Sequence, residues 1–153
     1  MASLLYFEDF KVGDAYETTG PTLTEADIVE YSIKYDPQVF HVDREGAKHS
    51  IYGGIIASGF QTLGYCMRMI CDAYLLRSAS LGSPGMNEIR WLKPVRPGDS
   101  LRMRMTVKEV RPSQSKPDRG VILHQWDTFN QLDELVMTTS GYGMFRRRPL
   151  TPN

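Results

Sequence analysis

Apolar positions change period near the middle of the chain, from the spacing of helices to that of strands. In TLTEADIVEYSIKY (22–35), Ile28, Tyr31 and Tyr35 form one stripe at helical spacing. Thr24 stands where an N-cap belongs, and Glu25 and Asp27 fall in the first turn, at the positive end of the helix dipole. The helix should end near Tyr35, because Pro37 disfavours the α region for Asp36 and brings no backbone donor. A second, more apolar helix begins within IIASGFQTLGYCMRMICDAYLL (55–76). Ser58 followed by Gln61 is a capping-box signature, and Leu63, Met67, Ile70 and Tyr74 follow at helical spacing. Cys66, Met69 and Ala73 leave only a narrow polar face around Arg68 and Asp72, which predicts a mostly buried helix.

The second half alternates. In SLRMRMTVKEV (100–110), Leu101, Met103, Met105 and Val107 alternate with Arg102, Arg104, Thr106 and Lys108, the pattern of a half-exposed strand. MNEIRWL (86–92), VILHQWDTF (121–129) and ELVMTTSGYGMF (134–145) are less regular strand candidates. The separators KPVRPGD, RPSQSKPDRG and NQLD carry the Pro, Gly, Asn and Asp of turns. Consecutive strands with short connections imply an antiparallel sheet. The expected fold is α+β, with the buried helix on one face of a curved sheet of at least three strands.

Composition narrows the function more than the fold. A chain of 153 residues suits one domain (1–153) with a sizeable core. Its 18 basic and 18 acidic residues balance, so no global field attracts nucleic acid or an anionic membrane surface. No apolar run is long enough to span a bilayer, and MASLLYFEDF lacks the basic start and apolar core of a signal peptide; a soluble cytoplasmic protein is the expectation. Cys66 and Cys71 have the spacing of neither a redox pair nor a zinc knuckle and read as small core residues. His49 and His124 have no carboxylate or cysteine at ligand spacing, so no metal is expected.

One stretch suggests chemistry. In YDPQVFHVD (35–43), Asp36 and His41 are separated by a distance that suits neither regular element. On a helix they lie roughly 140° apart, and on a strand they face opposite sides. They converge only if the chain between them is irregular, which Pro37 allows. The plainer reading of the pair alone is a turn carboxylate and a surface histidine.

The ordered set YDPQVFHVD, GGIIASGFQT and EIRWLKPVRPGDSL resembles the MaoC-like dehydratases, the (R)-specific enoyl-CoA hydratase or hydratase 2 group. The resemblance covers essentially the whole chain. It implies the hotdog fold, a long central helix wrapped by a curved antiparallel sheet. The family pattern is aspartate, any residue, asparagine, proline, any residue, histidine; here Asp36 and His41 hold the outer positions, Gln38 and Val39 replace asparagine and proline, and Pro37 directly follows the aspartate. That departure bears on the substrate.

The implied reaction is hydration of a trans-2-enoyl thioester, or its reverse. Asp36 and His41 jointly hold and activate the water, with one protonated partner supplying the proton at the α-carbon. A donor must also meet the charge developing on the thioester oxygen. If Ser58 and Gln61 form the box, the amides of Gly59 and Phe60 stay free, and Gly59 N–H is the first candidate; tight helix-to-sheet packing is the alternative reason for that glycine. Tyr31, Tyr35 and Phe40 are candidates for the acyl pocket. Arg90, Lys93 and Arg96 are candidates for the phosphates of coenzyme A, as is the run Arg146–Arg148, which reads equally as an exposed strand end. The resemblance implies no cofactor beyond coenzyme A as part of the substrate, and a homodimer or higher homo-oligomer. Thioester hydrolysis and a non-catalytic acyl-thioester-binding module are the competing readings.

Overall fold

A computed structural model of the chain describes residues 3–150. Helix α1 runs over Glu25–Tyr35 as its stripe predicts. Thr24 Oγ1 accepts from the amide of Asp27, and the Asp27 carboxylate accepts from the amide of Thr24, closing a reciprocal cap. The helix stops at Asp36, whose backbone (φ −155°, ψ 69°) has left the α region ahead of Pro37. Two short helices follow, α2 at Val39–Val42 and α3 at Arg44–Lys48, neither anticipated from the sequence. Asp43 starts α3 by accepting from the amides of Glu45 and Gly46. The apolar helix α4 spans Gly59–Ala73.

Five strands form one antiparallel sheet in the order β1-β3-β4-β5-β2. They are β1 (Ala15–Thr22), β2 (Ser80–Trp91), β3 (Ser100–Pro112), β4 (Arg119–Phe129) and β5 (Leu135–Arg146). Strands β3, β4 and β5 are joined in sequence as their short connections imply. Strand β2 is not beside β3, which follows it in the chain; it lies at the far edge, against β5. Strand β1 was not anticipated: AYETTGPT offers Tyr16 as its one large apolar residue, so no alternation marks it. Strand β2 begins six residues before the predicted MNEIRWL. Its first half, Ser80–Gly85, is broken by register shifts at Ser80/Gly82 and Gly82/Gly85, where both glycines have positive φ.

The inner faces of β3 and β4 point at α4. Leu101, Met103, Met105 and Val107 are fully buried on β3, and Ile122, His124, Trp126 and Thr128 face inward on β4. Cys66 lies in this core and Cys71 is half-buried; burial pushes the Cys66 thiol up to about 11, leaving it unreactive. Helix α4 rests on β1 and β3, touches β2 at Trp91, and otherwise stands off from β2 and β5, where an apolar cavity of about 480 Å³ opens along its other side. Among the described residues, no helix is long and apolar enough to cross a membrane.

Candidate active site

The irregular link between α1 and α2 does what the spacing requires. Asp36 ends one helix, Pro37 and Gln38 turn the chain, and the single turn of α2 carries His41 back, so that His41 Nε2 lies 3.2 Å from Asp36 Oδ2. His41 is only 4% exposed, so it is not the surface histidine of the plainer reading. Its other nitrogen, Nδ1, lies 2.7 Å from the carbonyl oxygen of Ile56. A carbonyl can only accept, so Nδ1 carries a hydrogen and Nε2 is the nitrogen left to exchange a proton.

Asp36 is held from three sides. Ser58 Oγ donates to Oδ2 at 2.6 Å, Gln38 Nε2 donates to Oδ1 at 2.8 Å, and His41 flanks Oδ2. Partial burial works against ionisation, but hydrogen bonds from Ser58 and Gln38, with the imidazole alongside, hold the carboxyl below the usual carboxylate range. When the imidazole is neutral, Nε2 and Oδ2 are adjacent acceptors for the hydrogens of a water; when it is protonated, they share a mobile proton. The arrangement suits water activation and proton return at one place.

The capping box expected at Ser58 and Gln61 does not form. Ser58 makes no side-chain cap on α4, because its hydroxyl is committed to Asp36, and Gln61 Nε2 donates instead to the carbonyl of Asp27. A buried hydroxyl beside a carboxylate gains more from that charge-assisted bond than from a cap. The first turn of α4 therefore begins without a side-chain acceptor on its amides.

That first turn borders the Asp36–His41 pair. A cleft of about 520 Å³ is lined by Asp36, Gln38, His41, Gly59, Phe60 and Trp91 among others. Trp91 of β2 lies over Gly59: a Cβ there would stand 2.5 Å from the indole, whose Nε1 donates to the Gly59 carbonyl at 2.9 Å. The close-packing reason for this glycine is thus realised, on a residue that also borders the cleft.

A family model described as "MaoC like domain" matches residues 9–130. The chain belongs to the MaoC-like family. It is 38% identical to the MaoC-like dehydratase from Rhodospirillum rubrum, with a TM-score of 0.88 over 95% of this chain and 99% of that one. It is 31% identical to the uncharacterized protein YdeM of Bacillus subtilis (strain 168) over 130 residues, covering 84% of this chain and 90% of that protein. R-hydratase PhaJ1 from Pseudomonas aeruginosa, at 20% identity, shares the fold with a TM-score of 0.77 over 98% of this chain and 96% of that one. The fold is the hotdog fold, as the resemblance implied.

The other residues singled out in this MaoC-like chain are placed unevenly. Phe40 and Lys93 line the cleft. Tyr31 lines the apolar cavity beside α4, together with Phe60, while Tyr35 is 72% exposed and lines neither space. Arg90 pairs with Glu88 and Lys93 with Glu134; Arg96 donates to the Tyr52 carbonyl at 2.6 Å, outside the cleft lining. Arg147 and Arg148 pair with Glu8 and Asp9 beyond the end of β5. His49 is exposed, and among the described residues no cluster of His, Cys, Asp or Glu could hold a metal ion. The sequence reading missed the Ile56 carbonyl, the Trp91 indole and the clamp role of Gln38. The first two are contacts across 15 and 32 positions and leave no local signal. Gln38 had one, since it replaces an amide-bearing residue between the two reactive groups.

Proposed function

We propose that the chain adds water reversibly across the double bond of a trans-2-enoyl-CoA, giving a 3-hydroxyacyl-CoA. The water oxygen bonds to C3 and a proton is added at C2. The carrying observation is the meeting of Asp36 Oδ2 and His41 Nε2 at 3.2 Å beside the uncapped first turn of α4. Asp36 and His41 take the proton from water and return one to C2. The amides of Gly59 and Phe60 stabilise the charge on the thioester oxygen, a contribution of about 3 to 4 kcal/mol for such a donor. Coenzyme A enters as part of the substrate, with Lys93 at the cleft as the first candidate for its phosphates. The names borne by the R. rubrum and P. aeruginosa proteins support the same reaction class.

A homodimer belongs to this reading. Strand β2 is an edge strand of 12 residues, exposed along most of its length, and an unpaired edge of that length is a ready template for a second copy. Light scattering should give twice the 17.4 kDa of the chain, and the monomer mass would remove the dimer from the proposal.

Loss of enoyl-thioester absorbance is the activity test. Wild type should consume short, medium, branched or dicarboxylic enoyl-CoA substrates without releasing free thiol, whereas Asp36→Asn and His41→Ala should each lower kcat by ~10²–10⁴-fold. Thiol release in place of hydration would make the protein a thioesterase. An inert wild type that still binds acyl-CoA would make it a binding module.

A further inference from the structure

His124 is not used by the hydration reading, yet it sits in the cavity beside α4. It faces inward on β4, is 1% exposed, and is surrounded by the rings of Phe10, Tyr74, Trp126 and Phe145. Its Nδ1 lies 3.1 Å from the Tyr74 hydroxyl, and that same hydroxyl accepts from Trp126 Nε1–H at 2.9 Å. The arrangement that satisfies all three groups has Tyr74 donating its hydrogen to Nδ1, which puts the ring hydrogen on Nε2. Nε2 is buried and has no partner among the described residues. Burial lowers the histidine to about 4, so at neutral pH this is an N–H donor and not a cation.

A buried donor without an acceptor is costly and rare. An ordered water there needs two to four polar partners, of which Nε2–H supplies one. Of the hydroxyls that line the cavity, those of Ser83, Thr139 and Tyr142 already donate to Gly85 O, Glu88 O and Glu109 respectively, so they offer an occupant acceptor lone pairs and no donor. The described lining includes no Asp, Glu, Lys or Arg. Phe60 lines both this cavity and the Asp36–His41 cleft, so one side chain at the start of α4 borders both spaces. At about 1.5 Å per residue, Tyr74 lies about 21 Å farther along the helix axis.

We infer that this cavity receives the acyl tail and that His124 Nε2–H donates to a neutral oxygen in its outer half. The preferred substrate class is then a long acyl chain, one that reaches the far end of α4, bearing a keto, ether or hydroxyl oxygen. This rests on the acyl-thioester reading above and adds a specificity-determining residue to it. A carboxylate is disfavoured because the described lining offers no charge to pair with it.

Calorimetry with saturated, non-reacting acyl-CoA ligands tests the inference without requiring turnover. Plain alkyl thioesters are compared with the same skeletons carrying one keto oxygen at successive outer positions, and with carboxylate-ended ones. Wild type should bind the best-placed keto ligand about tenfold tighter than its alkyl counterpart. His124→Phe should bring that ratio to about one, and His124→Gln, which keeps a donor, should restore part of it. A wild-type ratio of one or less at every position overturns the inference, as when side chains of a second copy fill the cavity. A ratio that survives in His124→Phe, or a preference for the carboxylate, overturns it as well. If His124→Phe does not fold, the wild-type series still decides. A keto preference in a protein inert towards enoyl-CoA would remove the hydration reading alone, and hydration with no preference would remove the inference alone.

Discussion

Asp36 has both carboxylate oxygens in hydrogen bonds, and the two donors differ in how replaceable they are. Gln38 is exposed, so water can take its place on Oδ1. Ser58 is fully buried, so its loss leaves Oδ2 with the imidazole as its one remaining neighbour of the two. Ser58→Ala should therefore fold, lose about 2 kcal/mol of stability, and lower kcat by about tenfold with a smaller change in KM. Gln38→Ala should be milder in both. Thermal unfolding and the absorbance assay check the ordering, and equal effects would show that Ser58 is not the principal support. Pro37, conspicuous in the sequence, has a local role: it ends α1 one residue early enough for Asp36 to turn towards His41. The proximity of the pair was legible for that reason. The third member, Ser58, was named but given the wrong partner, because a serine before a helix reads as a cap unless a carboxylate 22 residues away is known to be nearby.

Among the elements, α4 and β2 together shape the cleft, and their contact depends on one missing methyl group. In Gly59→Ala the new Cβ would fall 2.5 Å from the Trp91 indole, so the ring or the helix start must shift. The expected cost is about 1 to 3 kcal/mol, with a changed tryptophan emission spectrum. Unchanged stability and emission would mean that the indole moves freely aside. Strand β3 was readable because it buries alternate residues, and α4 because its apolar residues recur at helical spacing, although its buried face runs through Thr62, Cys66, Met69 and Ile70 and leaves Met67 of the predicted stripe exposed. Strands β1 and the first half of β2 were not, for opposite reasons. Strand β1 has too few apolar residues to show a face, and β2 begins in a glycine-rich, bulged segment whose sequence spells a loop.

For the molecule as a whole, His124 ties stability to pH. Its folded value, about 4, lies below the ordinary 6.5, so above pH 6.5 the ring is neutral in both states and has no linkage effect. As pH falls from 6.5 to 4 the unfolded chain binds a proton that the native core refuses, and stability drops by up to about 3 kcal/mol. Denaturant unfolding across that window should show the fall in wild type and a smaller one in a folded His124→Gln; identical slopes would mean that other groups carry it. Asp36 adds its own loss below pH 3.8, since its folded value is depressed and its contribution disappears as the carboxylate is protonated. The order of residues was enough to specify the helices α1 and α4, three of the strands and the second half of β2, the break at Asp36 and the family, because periodicity, proline and motif spacing act within a few residues of themselves. The place of β2 at the sheet edge, the Ile56 carbonyl that sets the His41 tautomer, the diversion of Ser58 from cap to clamp, and the empty donor of His124 all arise where distant segments meet. Burial at those meetings determines which polar groups lose water and must find each other, and no local pattern records that.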